Sequence, residues 1–363
     1  MNKQKFCFVG DLHLEALDKY YKKETNPNRF IYEQLDKVVA YCRKADIKNV
    51  FQLGDVFDHP YPDQKSIKEF LEFLHKNADL NFYIIAGNHD YSNVRTNSLE
   101  IGSFLTDVNL INNVRIFTKP QHLLIEGIDV FFAPYPTHKK FESLVGTPCL
   151  CLGHFEVKGA KHDSGQLIKN GVSSEELHEE DSWILGHLHR QQRISDKIYY
   201  TGTMLQYNFG EPLPKGFVVA DITQDAKKLK VKHNYVQLET PYSLLNVDVN
   251  SLEDIKTLQL NDPKFFYKLF INDNQLILPK RLVDGTTTNI YKILHNSNAT
   301  STERTLTASL SEAFHEDSDK ERLFEPLGGL EDHLTQEGLT PEEVQETLLL
   351  VQNLKHEFNP KRN

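Results

Sequence analysis

Phe82-Tyr-Ile-Ile-Ala-Gly-Asn88-His89-Asp90 is the stretch on which the reading of this chain turns. An apolar and aromatic run meets a glycine, and an amide, an imidazole and a carboxylate follow at once. A short apolar run closed by a turn residue has the pattern of a strand buried on both faces, as in a mostly parallel sheet. The glycine permits a sharp turn at the strand end. Three polar side chains are thus delivered at a sheet edge, where α/β folds bind ligands. One such turn is also an ordinary polar loop; its weight comes from repetition.

The chain does the same thing in four other places. Lys5-Phe-Cys-Phe-Val-Gly10 hands over Asp11-Leu-His13, and Asn49-Val-Phe-Gln-Leu-Gly54 hands over Asp55-Val-Phe-Asp58. Further on, Cys149-Leu-Cys-Leu-Gly153 delivers His154, and Ser182-Trp-Ile-Leu-Gly186 delivers His187 and His189. Helical spacing over Asn28–Lys44 (Ile31, Leu35, Val38, Val39, Cys42) and Ser66–Lys76 (Ile67, Phe70, Leu71, Leu74) separates the first three strands. This is β-α-β-α-β order, which implies right-handed crossovers and a parallel sheet. A more β-rich half follows, with short strands expected over Val114–Phe117, Leu123–Ile125, Asp129–Ala133, Ile198–Thr201 and Phe217–Ile222.

Past residue 225 the pattern of glycine-ended strands stops. Residues 227–295 read as a small separate α/β domain, with strands over Leu244–Val249 and Phe265–Ile271, a helix over Ile277–Asp284 and a short element over Asn289–Leu294. Residues 296–325 read as a linker, rich in Ser, Thr and Asn and then in charge. Residues 326–363 read as a helical hairpin. Leu330–Glu337 stops at Gly338, and Thr340-Pro341-Glu-Glu343 supplies an N-cap, a first-turn proline and a capping-box glutamate. In the helix from Pro341 to Phe358, Val344, Leu348, Leu350, Val351, Leu354 and Phe358 form a wide apolar stripe.

Composition bounds the rest. With 363 residues, 39% hydrophobic and 25% charged, the chain fits a soluble globular protein of two or three domains. No apolar run approaches the ~20 residues of a membrane span, and the N-terminus has no signal-peptide core. Four cysteines are too few for a disulfide scaffold, and a reducing cytoplasm (the host's, for a phage-encoded chain) is the expected location. The net charge of −10 is unevenly spread: residues 301–363 carry −8, which leaves −2 for the rest. Bound divalent cations would further invert the local sign of an acidic site, so the charge does not exclude DNA.

Asp11, His13, Asp55, Asn88, His154, His187 and His189 together offer the mixed oxygen and nitrogen donors that a pair of divalent ions needs. Two such ions about 3.5–4 Å apart stabilise both the attacking and the leaving oxygens of an in-line phosphoryl displacement. Mixed donors suit Mn²⁺, Fe²⁺ or Zn²⁺ better than all-oxygen Mg²⁺ or Ca²⁺ sites. His89, beside Asn88, has the residue type of a general acid.

Asp-x-His, Gly-Asp-x-x-Asp, Gly-Asn-His-Asp, Gly-His and Gly-His-x-His, in this order, resemble the calcineurin-like metallophosphoesterases. Within them the resemblance is closest to SbcD-type nuclease subunits, especially those of T-even-type phages. Leu-Gly-Asp55-Val-Phe-Asp58, Leu-Gly-His154-Phe-Glu-Val-Lys-Gly159, Tyr200-Thr-Gly202-Thr and Pro214-Lys-Gly-Phe217 add to it. The resemblance implies an α/β fold: a β-sandwich flanked by helices (residues 1–226), a small α/β DNA-capping domain (227–295) and C-terminal helices (326–363) that dock on an SbcC-type, SMC-like ATPase. It implies two divalent ions, Mn²⁺ in the first place with Mg²⁺ as the alternative. Asp11, His13, Asp55 and His189 would hold one and Asp55, Asn88, His154 and His187 the other, with Asp55 bridging. His89 would protonate the leaving 3′ oxygen or contact the scissile phosphate, and Asp58 would orient His89. The activity implied is that of a 3′–5′ exonuclease and single-strand endonuclease in DNA recombination, repair and replication, dimerising through the nuclease domain. Tyr91-Ser-Asn-Val-Arg95 departs from the usual pattern after Gly-Asn-His-Asp, so DNA contacts carried by that stretch do not transfer.

Basic residues are read more weakly. Lys19-Tyr-Tyr-Lys-Lys23, the group Lys158, Lys161 and Lys169, and the pair Arg190 and Arg193 suit either phosphate contact or a solvated surface. His162 and His178 read as surface histidines and Trp183 as core. A phosphatase or small-molecule phosphodiesterase on the same core is the first rival. The protein phosphatases of this superfamily, however, have Arg-Gly after the second aspartate, where this chain has His59-Pro60. A non-catalytic scaffold is the second, and the complete ligand set argues against it.

Overall fold

A computed structural model describes residues 2–295, apart from 21–25, 94–95, 98–111, 137–147, 178–180, 226–227, 261, 263, 274–275, 277, 280–281 and 283–288. The chain begins β1 (Asn2–Val9), α1 (Arg29–Lys44), β2 (Asn49–Leu53), α2 (Gln64–Lys76) and β3 (Asn81–Ile85), the predicted order. Every position of the expected apolar stripe of α1 is buried, from Ile31 to Cys42. Helix α2 starts where the Asp63 carboxylate accepts from the Ser66 backbone N–H at 2.6 Å, an N-cap.

Next come a small ribbon, β4 (Tyr91–Asn93) with β5 (Thr96–Asn97), and then β6 (Val114–Phe117), β7 (Gln121–Ile125) and β8 (Ile128–Ala133). They are followed by β9 (Leu150–Gly153), β10 (Ser182–Leu185), β11 (Gln192–Arg193) and β12 (Ile198–Tyr200). A long hairpin, β13 (Lys215–Asp225) and β14 (Lys228–Leu238), leads to β15 (Ser243–Val249), α3 (Leu252–Lys256), β16 (Phe265–Ile271) and β17 (Ile290–His295).

Two six-stranded sheets result, ordered β14-β13-β1-β2-β3-β6 and β11-β12-β10-β9-β8-β7. Strands β1, β2, β3 and β6 run parallel, as do β8, β9, β10 and β12; antiparallel strands close the edges. The inner strands are covered on both faces, which is why they read as continuous apolar runs. Phe8, Phe51 and Tyr83 occupy one register line across β1, β2 and β3. Their rings stack at 5.1 and 4.9 Å, and with Phe132, Leu152 and Ile184 they fill the space between the sheets. The alternate residues Cys7, Val9, Val50, Phe82 and Ile84 pack on the side of α1 and α2. The fold is thus the expected α/β double sheet flanked by helices. Trp183 is core, and all four cysteines are buried.

The first sheet runs beyond the expected domain break at 226/227. β14 pairs with β13 from Lys228 to Leu238. Its alternation of Lys228, Lys230 and Lys232 with Leu229 and Val231 is that of an edge strand with one face on the core, where Leu229 and Val231 pack. Charged residues on the open face made it read as the start of a new domain. The two strands expected here are present as β15 and β16, the short element over Asn289–Leu294 is the strand β17, and the three form a parallel sheet with its own core around Val249, Leu269 and Ile271. The helix expected over Ile277–Asp284 lies mostly outside the described residues. The expected linker (296–325) and C-terminal helical hairpin (326–363) lie outside the described residues. Among the described residues no helix is long and apolar enough to cross a membrane.

Candidate metal centre

The carboxyl ends of β1, β2 and β3 in one sheet and of β9 and β10 in the other bring all the predicted site residues together. The approach leaves no room for side chains at the glycines. A Cβ at Gly54 would lie 2.1 Å from His154 Nδ1, one at Gly87 2.1 Å from Asp55 Oδ1, and one at Gly186 2.0 Å from the Leu53 carbonyl oxygen. His13, Asp55 and His187 hold left-handed backbone conformations, at φ 45°, 51° and 82°. Each costs about 1–2 kcal/mol for a non-glycine residue and persists only where its surroundings over-determine it. Here the backbone N–H groups of Leu12 and His13 both donate to the Asp55 carbonyl, at 2.9 and 3.0 Å. The N–H of His187 donates to both Asp11 carboxylate oxygens at 3.1 Å.

The side chains fall into two groups that meet at Asp55. In the first, His13 Nε2 is 3.0 Å from His189 Nε2, which is 3.6 Å from Asp11 Oδ2. In the second, Asn88 Oδ1 is 2.9 Å from both His154 Nε2 and His187 Nδ1. Asp55 Oδ2 lies 3.2 Å from His154 Nε2 and 3.8 Å from His13 Nε2, between the groups. Donor atoms bound at about 2.0–2.2 Å to one cation are about 3.0–3.5 Å apart along the edges of an octahedron or tetrahedron. The observed spacings match, so the residues present fit a pair of divalent ions.

Electrostatics favour the same conclusion. Burial disfavours the charge of Asp55, yet His154, His89 and His13 outweigh it and hold the carboxyl well below its usual range. Burial likewise opposes a charged His154, but Asp55 and Asp11 raise it to about 9. Burial and the adjacent Asp55 charge push Asp90 up to about 7, although the Gly87 N–H donates to it at 2.8 Å. The carboxylates that raise His154 give the pocket a negative field, which divalent ions would offset.

His89 and Asp58 stand beside these groups. The His89 backbone N–H donates to Asp55 Oδ1 at 2.8 Å, and its ring Nδ1 lies 2.8 Å from the Asp58 carbonyl oxygen. Burial works against charge on His89; Asp55 and the Asp58 carbonyl and carboxylate prevail and raise its pKa. Asp58 touches His89 through its main chain, whereas its carboxylate Oδ1 lies 3.1 Å from His13 Nδ1. That carboxyl titrates at about 2, because the contact and charge of His13, then the charges of His89 and Lys19, outweigh burial.

Other residues near the site carried no signal as ligands. Glu211 and Lys215 are a buried pair against His189; Lys215 belongs to the Pro214-Lys-Gly-Phe217 phrase, while Glu211 stood in none. Glu156 lies 3.7 Å from His187 Nε2 and 3.8 Å from His162 Nδ1. The Tyr207 hydroxyl donates to the Leu12 carbonyl. Lys158, Lys161 and Lys169 are exposed on the segment after β9, and Arg193 pairs with Asp196. Lys22, Lys23 and His178 fall outside the described residues.

A double sheet that gathers acids, an amide and imidazoles around two cation positions is the frame of a metal-dependent phosphoester hydrolase. The chain belongs to the calcineurin-like phosphoesterases, whose family model matches residues 4–191. Members of this family use divalent metals. The chain is 23% identical to "Putative phosphoesterase 078R" of Invertebrate iridescent virus 3 over 259 residues, 65% of this chain and 70% of the relative. Among solved structures it is similar to "GAP50 the anchor in the inner membrane complex of Plasmodium", with 11% identity, a TM-score of 0.39 and coverage of 65% of this chain and 85% of the other. It is also similar to Vacuolar Protein Sorting 29 from Cryptosporidium parvum, with 16% identity, a TM-score of 0.29 and coverage of 66% and 100%.

Proposed function

We propose that this phosphoesterase is a DNA nuclease of the SbcD type, hydrolysing phosphodiesters as a 3′–5′ exonuclease and single-strand endonuclease in recombination, repair and replication. The observation that carries the reading is the pair of donor groups sharing Asp55, with His89 anchored against both Asp55 and Asp58. Asp11, His13, Asp55 and His189 would hold one ion, and Asp55, Asn88, His154 and His187 the other, with Mn²⁺ the first candidate. Bound there, the two ions would supply charge to the attacking and leaving oxygens of the phosphoryl group. Asp55, between the groups, keeps two cations close by screening their repulsion. With Nδ1 against the Asp58 carbonyl, His89 keeps Nε2 for the proton it gives to the leaving 3′ oxygen, and the neighbouring Asp55 and Asp58 favour its protonated form.

Two features favour DNA over a small phosphoester. The β15–β17 sheet stands next to the site's support: Leu244 N and O both bond the Gln206 amide, one residue before Tyr207. Exposed Lys158, Lys161 and Lys169 lie on the segment that follows His154. The C-terminal helices, with their apolar stripe, would dock on an SbcC-type ATPase, and the nuclease domain would pair with a second copy. The test is metal analysis of the purified chain, then Mn²⁺-dependent digestion of plasmid and single-stranded DNA beside p-nitrophenyl phosphate. Cleavage of DNA is expected; turnover of the monoester with intact DNA would favour a phosphatase. Removing residues 301–363 should spare metal content and single-strand cleavage and abolish ATP-stimulated duplex digestion with the ATPase; a truncated chain that still binds the ATPase would clear the tail of this role.

A further inference from the structure

We infer that Glu211, clamped by Lys215, is the positioning residue that fixes the ring of His189 and thereby builds the cation position formed with Asp11 and His13. The inference rests on the metal-centre reading above. His189 is gripped at both ends. Its ring Nδ1 lies 2.8 Å from Glu211 Oε1, while its backbone carbonyl accepts from Lys215 Nζ at 3.0 Å. Glu211 Oε1 also accepts the backbone N–H groups of Tyr207 and Asn208, at 3.0 and 3.1 Å, and the Asn208 side-chain amide at 3.0 Å. Glu211 Oε2 takes Lys215 Nζ at 2.6 Å, and the same ammonium reaches Thr203 Oγ1 at 2.9 Å. All three ammonium protons are thereby used, on Glu211, Thr203 and His189.

Both side chains are almost wholly buried, at 0% and 1% exposure. A buried ion pair is a poor device for stability alone, because desolvation offsets most of its attraction. This one has a geometric consequence. Glu211 Oε1 meets Nδ1 at 2.8 Å, so Nε2 faces His13 Nε2, 3.0 Å away, and Asp11 Oδ2, 3.6 Å away; with a cation bound there, Nδ1 would carry the ring's one proton and give it to Glu211. A carboxylate behind a metal-binding imidazole fixes its tautomer and orientation and strengthens it as a donor. The neighbouring His154 ring is held in a comparable way, its Nδ1 2.8 Å from the Leu53 carbonyl oxygen, and the Asp58 carboxylate stands 3.1 Å from His13 Nδ1. Asp163 lies farther from His189 Nδ1, at 3.8 Å, and does not replace Glu211.

The test is titration of Mn²⁺ into the metal-free full-length protein by calorimetry, with ring ¹⁵N spectra of the chain loaded with diamagnetic Zn²⁺ to read which His189 nitrogen keeps its proton. Glu211→Ala is expected to weaken one of two Mn²⁺ equivalents by about 10–100-fold and leave the other in place. The paired change Glu211→Gln with Lys215→Met keeps an acceptor for Nδ1 without stranding the ammonium. It should retain the Nδ1–H form and both equivalents within about tenfold. A folded Glu211→Ala protein that binds both ions with wild-type affinity overturns the inference. If Glu211→Ala does not fold, the paired variant decides alone: loss of the Nδ1–H form with both affinities unchanged overturns it equally. Wild-type protein that takes up two Mn²⁺ but cuts no DNA leaves the inference standing and refutes the nuclease reading; wild-type protein that takes up none refutes both.

Discussion

The Asp58 carboxylate lies 3.1 Å from His13 Nδ1, on the far side of that ring from His189. The family resemblance links Asp58 with His89, and the two do meet, through the main chain: His89 Nδ1 lies 2.8 Å from the Asp58 carbonyl oxygen. Replacing the side chain therefore separates two roles. Asp58→Asn should leave His89 anchored and loosen His13, weakening one Mn²⁺ equivalent by about 10–100-fold while activity at saturating metal falls much less. Metal titration of both proteins checks it. Unchanged metal affinity with a displaced acid limb of the pH–rate curve would return the carboxylate to His89.

His89→Gln keeps the backbone N–H that bonds Asp55 Oδ1 at 2.8 Å, so both metal equivalents should survive. Loss of the proton donor is expected to cost about 10²–10⁴-fold in cleavage of unactivated DNA. The loss should shrink on a substrate with an acidic leaving group, which needs no protonation. Equal losses on both substrates would remove His89 from proton transfer.

Much of this site was legible because each ligand follows a glycine at a strand end, and that pattern depends on local sequence alone. The strands that carry it are short and buried on both faces, so their apolar runs were also plain. Glu211 and Lys215 were not legible as site residues, since nothing local marks a glutamate that meets His189 only after β11 and β12 have turned the chain back. The contact of the Asp58 carboxylate with His13 was not legible for the same reason: His13 lies 45 residues away and is brought near by the parallel pairing of β1 with β2. Strand β14 read as a new domain because its exposed face is charged, and only its pairing with β13 reveals its place.

Asp55 Oδ2 lies between the two donor groups, 3.2 Å from His154 Nε2 and 3.8 Å from His13 Nε2. Asp55→Ala should therefore reduce binding from two Mn²⁺ to at most one and abolish turnover, since two cations without a shared anion repel strongly in a buried cleft. Elemental analysis after dialysis gives the count. Two tightly held ions per chain with normal turnover would refute the bridging assignment.

His233, on β14 and away from the metal centre, gives the fold a separate dependence on pH. Its ring stacks on Tyr199 at 4.6 Å, with 8° between planes. Burial, and to a lesser degree the charge of Arg193, lower its pKa to about 4. In the unfolded chain it titrates near about 6.5. Between these values the unfolded chain binds a proton that the native ring refuses, so stability is complete above about pH 6.5 and falls as pH drops toward 4. A shift of this size corresponds to about 3 kcal/mol, which the ring's partial exposure reduces to roughly 1–2 kcal/mol. Phenylalanine preserves the stack and cannot titrate. Urea unfolding from pH 7 to pH 4.5 should show wild-type protein losing that much more stability than His233→Phe, and parallel pH profiles for the two proteins would show that His233 is protonated equally in both states.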